Sequence, residues 1–354
     1  MHLMELLGWR SVPMAGVSIG LTRRCPLHCA HCSTRSTMDS EEHAPELFER
    51  FVDSFRIDDH PEVLAMSGGE AMLRPELVRS LALRARSAGT RSSVLSGLFF
   101  ARHGRIPAPI RAAIDAVDHF SVSLDAYHEQ EVPRTNVFDV LDRVLDRGVD
   151  VSLHLTGSGG QDPYLEGLVA DVRRRFDDRV PMVVNAVSSF GRARVWLVRE
   201  AQAHRPVEAN PCAMAAWPVV GFDGRIVACG NDDALDDPPP HLLLGHAAKD
   251  SWPVVRARSL GSGMMRAIRL YGPRYIAARH GDQPAASCGG DCATCLSLSS
   301  EPQLADRVER EMARPSAEVL EHAAREMTQA AGGASFLRRY GVAKYADLAW
   351  LGVP

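Results

Sequence analysis

The chain has 354 residues, a formal net charge of −4 at pH 7, 45% hydrophobic and 24% charged residues, a composition that allows one large globular domain and a smaller one. Slight net acidity excludes the basic surface expected of a nucleic-acid or anionic-membrane binder. No run approaches the ~20 apolar residues of a membrane span, and residues 1–14 lack the basic-then-apolar order of a signal peptide, so the expected location is the cytoplasm. In that reducing compartment the clustered members of the eight cysteines read as metal ligands rather than disulfides.

The first strand expected, residues 17–21, runs into Thr22-Arg-Arg-Cys-Pro-Leu-His-Cys-Ala-His-Cys32. Thiolates of Cys25, Cys29 and Cys32 on one loop can hold three irons of a cubane cluster and leave the fourth without a protein ligand, which suits chemistry at the open iron. A zinc knuckle completed by His28 or His31 is the competing reading. Further strands are expected at residues 63–66, 92–95, 120–124, 151–155 and 182–187. Amphipathic helices are expected at 45–55, 75–88, 107–117, 137–147 and 165–176. Repeated strand–helix units of this size form parallel sheets with crossover helices, and their chemistry gathers at the C-terminal strand ends.

The second strand ends in Ser67-Gly68-Gly69-Glu70. Glycines there permit close approach of a ligand to the backbone, and the carboxylate can pair with an ammonium. By the same logic Ser96 and Gly97, Ser123 and Asp125, His154 and Thr156, and Asn185 and Ser188 are candidates at later strand ends, with capping as the alternative role. The stretch Ser123-Leu-Asp-Ala-Tyr-His-Glu-Gln-Glu-Val-Pro-Arg134 is dense in functional groups. Its Asp125, His128, Glu129 and Arg134 can bind a polar substrate or move a proton, or form a solvated loop entering a helix.

Composition shifts near Phe190-Gly-Arg-Ala193. Cys212 and Cys229 flank a hairpin signalled by Asp223-Gly224 between residues 217–222 and 225–228, and a tight hairpin brings its flanking cysteines together. Cys288, Cys292 and Cys295 follow, five cysteines for one four-ligand cluster. Helical periodicity runs from 301 to 331; Gly332-Gly333 is expected to break it and 336–351 to form a last helix. This tail is expected to pack on the barrel or cover its mouth.

The Cys25/Cys29/Cys32 spacing and the later Gly68-Gly69-Glu70 resemble the CxxxCxxC and Gly-Gly-Glu elements of radical SAM enzymes. That resemblance implies an α/β fold: a partial (β/α)6 barrel with a small C-terminal iron–sulfur domain (β-hairpin plus helices) and a helical tail. It also implies a core [4Fe–4S] cluster on the three cysteines, with S-adenosyl-L-methionine (SAM) at the open iron. Gly68, Gly69 and Glu70 would then hold the amino group of SAM, with Ser96, Ser123 and His154 as further contacts to it. Reduction of SAM would give a 5′-deoxyadenosyl radical that abstracts hydrogen from an unactivated carbon, with an electron donor such as flavodoxin or ferredoxin.

Gly191-Arg-Ala and the later cysteines resemble the linker and auxiliary domain of the SPASM and Twitch groups. Full SPASM domains carry seven cysteines, so the single-cluster Twitch arrangement fits better. The preferred ligands of one auxiliary [4Fe–4S] cluster are Cys212, Cys229, Cys292 and Cys295, giving domains at 1–190, 191–300 and 301–354. Cys288 is then either a hydrogen-atom donor, which would make the enzyme an epimerase, or a packing thiol that exchanges roles with Cys292. Asp232, with Asp233, is the expected substrate-side base or hydroxyl clamp, and Asp125 and His128 are further catalytic candidates. The expected substrate is a small polar natural-product precursor (sugar, aminocyclitol or nucleoside type), because the auxiliary domain resembles that of Twitch alcohol dehydrogenases and the N-terminal stretch is too short for a leader-binding domain. Modification of a ribosomally made peptide is the alternative. A non-catalytic iron–sulfur protein is a third reading, opposed by the intact motifs.

Overall fold

The computed structural model describes residues 1–197, 207–282 and 290–353. Its core is a run of parallel strands in chain order: β1 (Gly16–Gly20), β2 (Val63–Ser67), β3 (Arg91–Ser96), β4 (His119–Asp125), β5 (Val151–Gly157) and β6 (Met182–Ala186). Crossover helices Pro45–Val52, Pro75–Ser87, Ala108–Ile114, Arg134–Leu145 and Pro163–Phe176 lie between them. Four of the five carry proline in the first turn, where its fixed φ and missing N–H cost nothing. Each expected strand and helix is present, with ends moved by a few residues. The sheet is open rather than closed, a partial barrel.

Alternation along the strands explains which face is which. In β4 the buried Phe120, Val122 and Leu124 join the main apolar core with the helices. His119, Ser121, Ser123 and Asp125 alternate with them on the opposite face, opposed across the register by residues of β5: Ser121 by Ser152, Ser123 by His154 and Asp125 by Thr156. The inner wall of the barrel is therefore small and polar. His119 is fully buried there, with Nδ1 2.8 Å from the Met1 carbonyl and Nε2 2.8 Å from Ser152 Oγ. Burial holds both His119 and His154 down to about 4.

The sheet does not stop at the barrel. β7 (Val219–Val220) pairs parallel with β1, and β8 (Arg225–Val227) and β9 (Leu243–His246) extend it antiparallel, in the order β6-β5-β4-β3-β2-β1-β7-β8-β9. The expected hairpin is present. Gly224 takes φ +88° in its turn, and Asp223 Oδ1 accepts a hydrogen bond of 3.0 Å from the Arg225 backbone N–H. Its first strand is shorter than expected because Trp217 leaves the sheet to lie against β1. A Cβ on Gly16 would meet the indole at 2.4 Å, and Trp217 is 2% exposed.

The tail differs from expectation. Its periodic stretch divides at Arg314-Pro315 into helices Pro302–Met312 and Pro315–Tyr340, and the residues expected as a last helix form the end of the second helix and a 3₁₀ segment, Ala343–Trp350. Gly332, at φ 67° and ψ −179°, leaves helical geometry and breaks the long helix into two, as expected. Gly333 also serves contact: a Cβ there would sit 2.8 Å from Leu7 Cβ, so the tail can press on the N-terminal helix Leu3–Trp9. Beyond it the Val342 backbone N–H donates to Val184 O at 2.8 Å, covering the outer edge of β6. Among the described residues no helix is long and apolar enough to cross a membrane.

Buried His119 and half-buried His154 set an acid response. An unfolded histidine protonates near 6.5, whereas His119 and His154 resist until about 4. Between those values the unfolded chain binds protons the native one refuses, so stability falls as pH falls, by up to ~1.4 kcal/mol per unit per histidine. Urea midpoints are expected to drop from pH 6.5 to 4.5, with a flatter profile in His154→Gln. Identical profiles would remove His154 from the account.

Candidate functional site

A cavity of about 270 Å³ opens at the C-terminal ends of the parallel strands. Cys25, Cys29 and Cys32 line it beside Gly68, Gly69 and Glu70, so the two motifs share one wall. Ser123, Thr156, Ser188, His128 and Arg192 complete it.

Backbone bonds join the motifs. Gly69 N–H donates to Thr22 O at 2.7 Å and Glu70 N–H to Arg24 O at 2.9 Å. A Cβ on Gly68 would meet Thr22 O at 2.5 Å, and one on Gly69 would meet Arg24 O at 2.4 Å. The glycines are thus required by the cysteine loop itself, not only by a ligand. Glu70 is 1% exposed. Its Oε1 accepts from Met72 N–H and Ser96 Oγ, and its Oε2 from Gly97 N–H, each at 2.9 Å. Burial raises its pKa against those three bonds, so a cation in the cavity would find a fixed, poorly solvated carboxylate. Ser96 holds Glu70 rather than lining the cavity. His154 sits one pleat below Thr156, and Thr156 is the residue that reaches the cavity.

The other side of the cysteine loop is held by Gly191, Arg192 and Trp196, in the segment that resembles a linker. A Cβ on Gly191, at φ +52°, would lie 2.1 Å from Ser33 O and 2.3 Å from Cys32 O. Arg192 N–H donates to Cys32 O at 2.9 Å, and its guanidinium donates to Cys29 O at 3.0 Å and Ser36 O at 3.1 Å. Trp196 Nε1 donates to Ala30 O at 3.0 Å. The signal was present in Gly191-Arg-Ala; what sequence could not supply was the fold-back onto the loop.

Asp125, 1% exposed, caps the short helix Ala126–Glu129. Its Oδ1 accepts from the backbone of Tyr127 and His128, and its Oδ2 lies 2.9 Å from His128 Nδ1 and 3.3 Å from His31 Nε2. Burial would raise the Asp125 carboxyl, but the His128 hydrogen bond and the two imidazoles hold it below its usual range. For His128, burial is outweighed by Asp125 and Cys29, and its pKa is pushed up to about 10. His31 is thereby turned toward Asp125, and His28 is largely exposed beside Glu131. Glu129 and Arg134 pair with each other at 2.7 Å, away from the cavity.

Cys212, Cys229, Cys292 and Cys295 gather in a second region, reached from the hairpin and from the helix Asp291–Ser297. Burial raises the Cys295 thiol, and Cys229, Cys212 and Cys292 add to the effect. Burial likewise pushes Cys229 up to about 12, with Cys212 and Cys292 contributing. Asn210 Nδ2 ties the Cys212 segment to that helix through Asp291 Oδ2 at 2.7 Å. Cys288 lies outside the described residues. Asp232 is raised by burial against a hydrogen bond from Ser33, the residue after Cys32. Asp233 forms a surface ion pair with Arg194 at 2.7 Å. A larger cavity, about 440 Å³, lies behind Cys212 against the tail helix, and Cys212 is the one candidate residue on its wall.

Residues 19–171 match the model of the radical SAM superfamily, a family that uses a [4Fe–4S] cluster and SAM. No curated protein matches the sequence. Among solved structures, SuiB of Streptococcus suis bound to S-adenosylmethionine is similar with TM-score 0.56 and 12% identity, over 83% of this chain and 76% of SuiB. SuiB bound to precursor peptide SuiA gives 0.53 and 12%, over 82% and 74%. BtrN in complex with AdoMet and 2-DOIA gives 0.44 and 11%, over 72% and 87%. At these identities the SuiB likeness is one of fold, the partial barrel. The chain's own residues fit the implied cofactors. Burial pushes the Cys25 thiol up to about 12, and neighbouring Glu70, Cys29 and Cys32 add to it, so bound iron would have to displace the proton of Cys25 to be ligated by it.

The clamp on the loop is testable. Gly69→Ala, which overpacks the loop, and Arg192→Met, which strands the carbonyls of Cys29 and Ser36, should each cost ~1–3 kcal/mol in urea unfolding. Both should also lower the iron retained after gel filtration. Wild-type values in both variants would show that the loop holds itself.

Proposed function

We propose that the chain is a radical SAM enzyme that acts on a small polar natural-product precursor of sugar, aminocyclitol or nucleoside type, oxidising it or inverting a stereocentre. The observation that carries the reading is the meeting of a three-thiol loop and a buried carboxylate on one cavity wall. Bound there, the cluster and SAM would supply the radical that removes hydrogen from a substrate carbon. Glu70 holds the SAM ammonium, oriented by Ser96 and Gly97. Ser123 and Thr156 offer hydroxyls to SAM or substrate. His128, kept by Asp125, and Arg192 give the cavity cationic groups for a polar substrate, which supports a small polar molecule over an apolar one. Asp232 is the substrate-side base or clamp, with its neighbour Asp233 already committed to Arg194.

The same reading assigns residues 1–190 to the barrel, 191–300 to a Twitch-like auxiliary domain and 301–354 to the tail. Cys212, Cys229, Cys292 and Cys295 are its cluster ligands, supported by their mutual influence. Cys288 is the spare thiol. The electron donor is a flavodoxin or ferredoxin in the cytoplasm. A peptide substrate is the second reading, favoured by the fold shared with SuiB, whose structure holds the precursor peptide SuiA.

Anaerobic reconstitution tests the proposal. About eight irons per chain, falling to about four in the Cys25/Cys29/Cys32→Ala variant, together with reductant-dependent 5′-deoxyadenosine formation that this variant lacks, are expected. Glu70→Gln should weaken SAM binding roughly 10–100-fold, the worth of a charge-assisted bond. Cys288→Ala should keep both clusters; loss of the auxiliary one would make Cys288 a ligand and point to oxidation. A reduced, iron-loaded protein that never cleaves SAM would end the enzymatic reading.

A further inference from the structure

Arg10 caps the helix Leu3–Trp9, far in sequence from the second cysteine group, yet its guanidinium reaches Met214, two residues after Cys212. Its Cζ lies 5.1 Å from the Trp217 ring centroid and 5.7 Å from that of Phe336, and Nη2 is 4.0 Å from Met214 Sδ. Nη1 is buried with no hydrogen-bond partner. No carboxylate pairs with Arg10 among the described residues. Burial lowers its pKa to about 10, and the groups that act against burial are Cys212, Tyr340 and Cys229. All three are neutral until they lose a proton. Aromatic faces offset part of the cost of an enclosed cation, but a buried guanidinium with an orphan N–H and no counter-ion is expensive. The side chain is explained if the cysteines beside it are anionic in the working protein.

We infer that Arg10 is the counter-charge of the auxiliary iron–sulfur centre and sets its reduction potential, a role that rests on the auxiliary-cluster reading above. Four thiolates around a cubane leave a net negative charge that grows by one when the centre takes up one electron, with no proton required. A fixed cation in a low-dielectric setting favours the more negative state, so it raises the potential. Arg10 touches neither substrate nor SAM in this account; it acts through the cluster. Arg339 also bears on Cys212, but it is already spent on Asn210 Oδ1, at 2.6 Å, and on Pro211 O. Arg10 is the cation left uncommitted.

The test is an anaerobic redox titration of the reconstituted full chain, followed by electron paramagnetic resonance and compared with iron counts. Arg10→Met should retain both clusters and move the auxiliary midpoint to more negative potential. At the wild-type midpoint its reduced-to-oxidised ratio should fall about tenfold, roughly 59 mV for a one-electron couple. Arg10→Lys should restore most of the wild-type value. Molar salt should not mimic the effect, because a buried charge is little screened. If methionine costs the auxiliary iron, Arg10→Gln removes the charge at similar length and carries the same expectation. A variant that keeps the centre with an unmoved midpoint overturns the inference. Failure of the auxiliary-cluster reading looks different: wild-type protein binds only about four irons and Cys229→Ala removes none.

Discussion

Everything at the cavity depends on one close backbone approach. The chain leaving β2 must lie within hydrogen-bonding distance of the chain leaving β1, and only residues without a Cβ permit it at Gly68 and Gly69. That approach fixes where Cys25 begins its loop and where the Glu70 carboxylate ends. Gly191 and Arg192 repeat the device on the other side. The cysteine loop carries little regular structure of its own, so its geometry is borrowed from the strands behind it and the segment folded over it.

Electrostatics then separates the two cysteine regions. The first combines thiols with a buried carboxylate and with cationic groups, His128 and Arg192, on the same wall. The second gathers four thiols with a single enclosed guanidinium. An assembly of like-charged thiolates is unstable without metal in either place, and burial raises the thiols Cys25, Cys229 and Cys295 accordingly. Each region has a different partner for its negative charge. One leaves space for a ligand to bring a cation; in the other, Arg10 is the proposed cation.

Much of this was legible in the sequence. Alternating runs such as 119–125 and 151–157 are read easily because period-two patterning reports which side faces the helices. Asp223-Gly224 announced its hairpin because a positive φ demands glycine. The candidate residues Cys25 and Glu70, picked out by chemistry and spacing, meet on one cavity wall, and Asp125 bonds to His128 on that wall. What escaped were contacts between segments distant in the chain. Ser96 bonds to Glu70, and His154 lies a pleat below Thr156, which is the residue on the cavity wall. Arg192 and Arg10 act on loops far away in sequence, and no local pattern marks them. Gly332 breaks the tail helix as its local conformation allows, but that Gly333 also makes room for Leu7 could not be read from the sequence.

The parallel pairing of β1 with β7 gives the molecule no natural place to be cut. In many two-part proteins a linker separates independent cores; here Ser18 and Ile19 find partners in Val219 and Val220, and Trp217 fills the space that Gly16 leaves. A fragment holding only the six parallel strands would present β1 as a bare edge, with unpaired amides and carbonyls beside two side-chain-free positions, Gly16 and Gly20. Such an edge recruits other strands, including those of its own copies. Domain-swapped aggregates, rather than a minimal working barrel, are the outcome that geometry favours for a truncated chain.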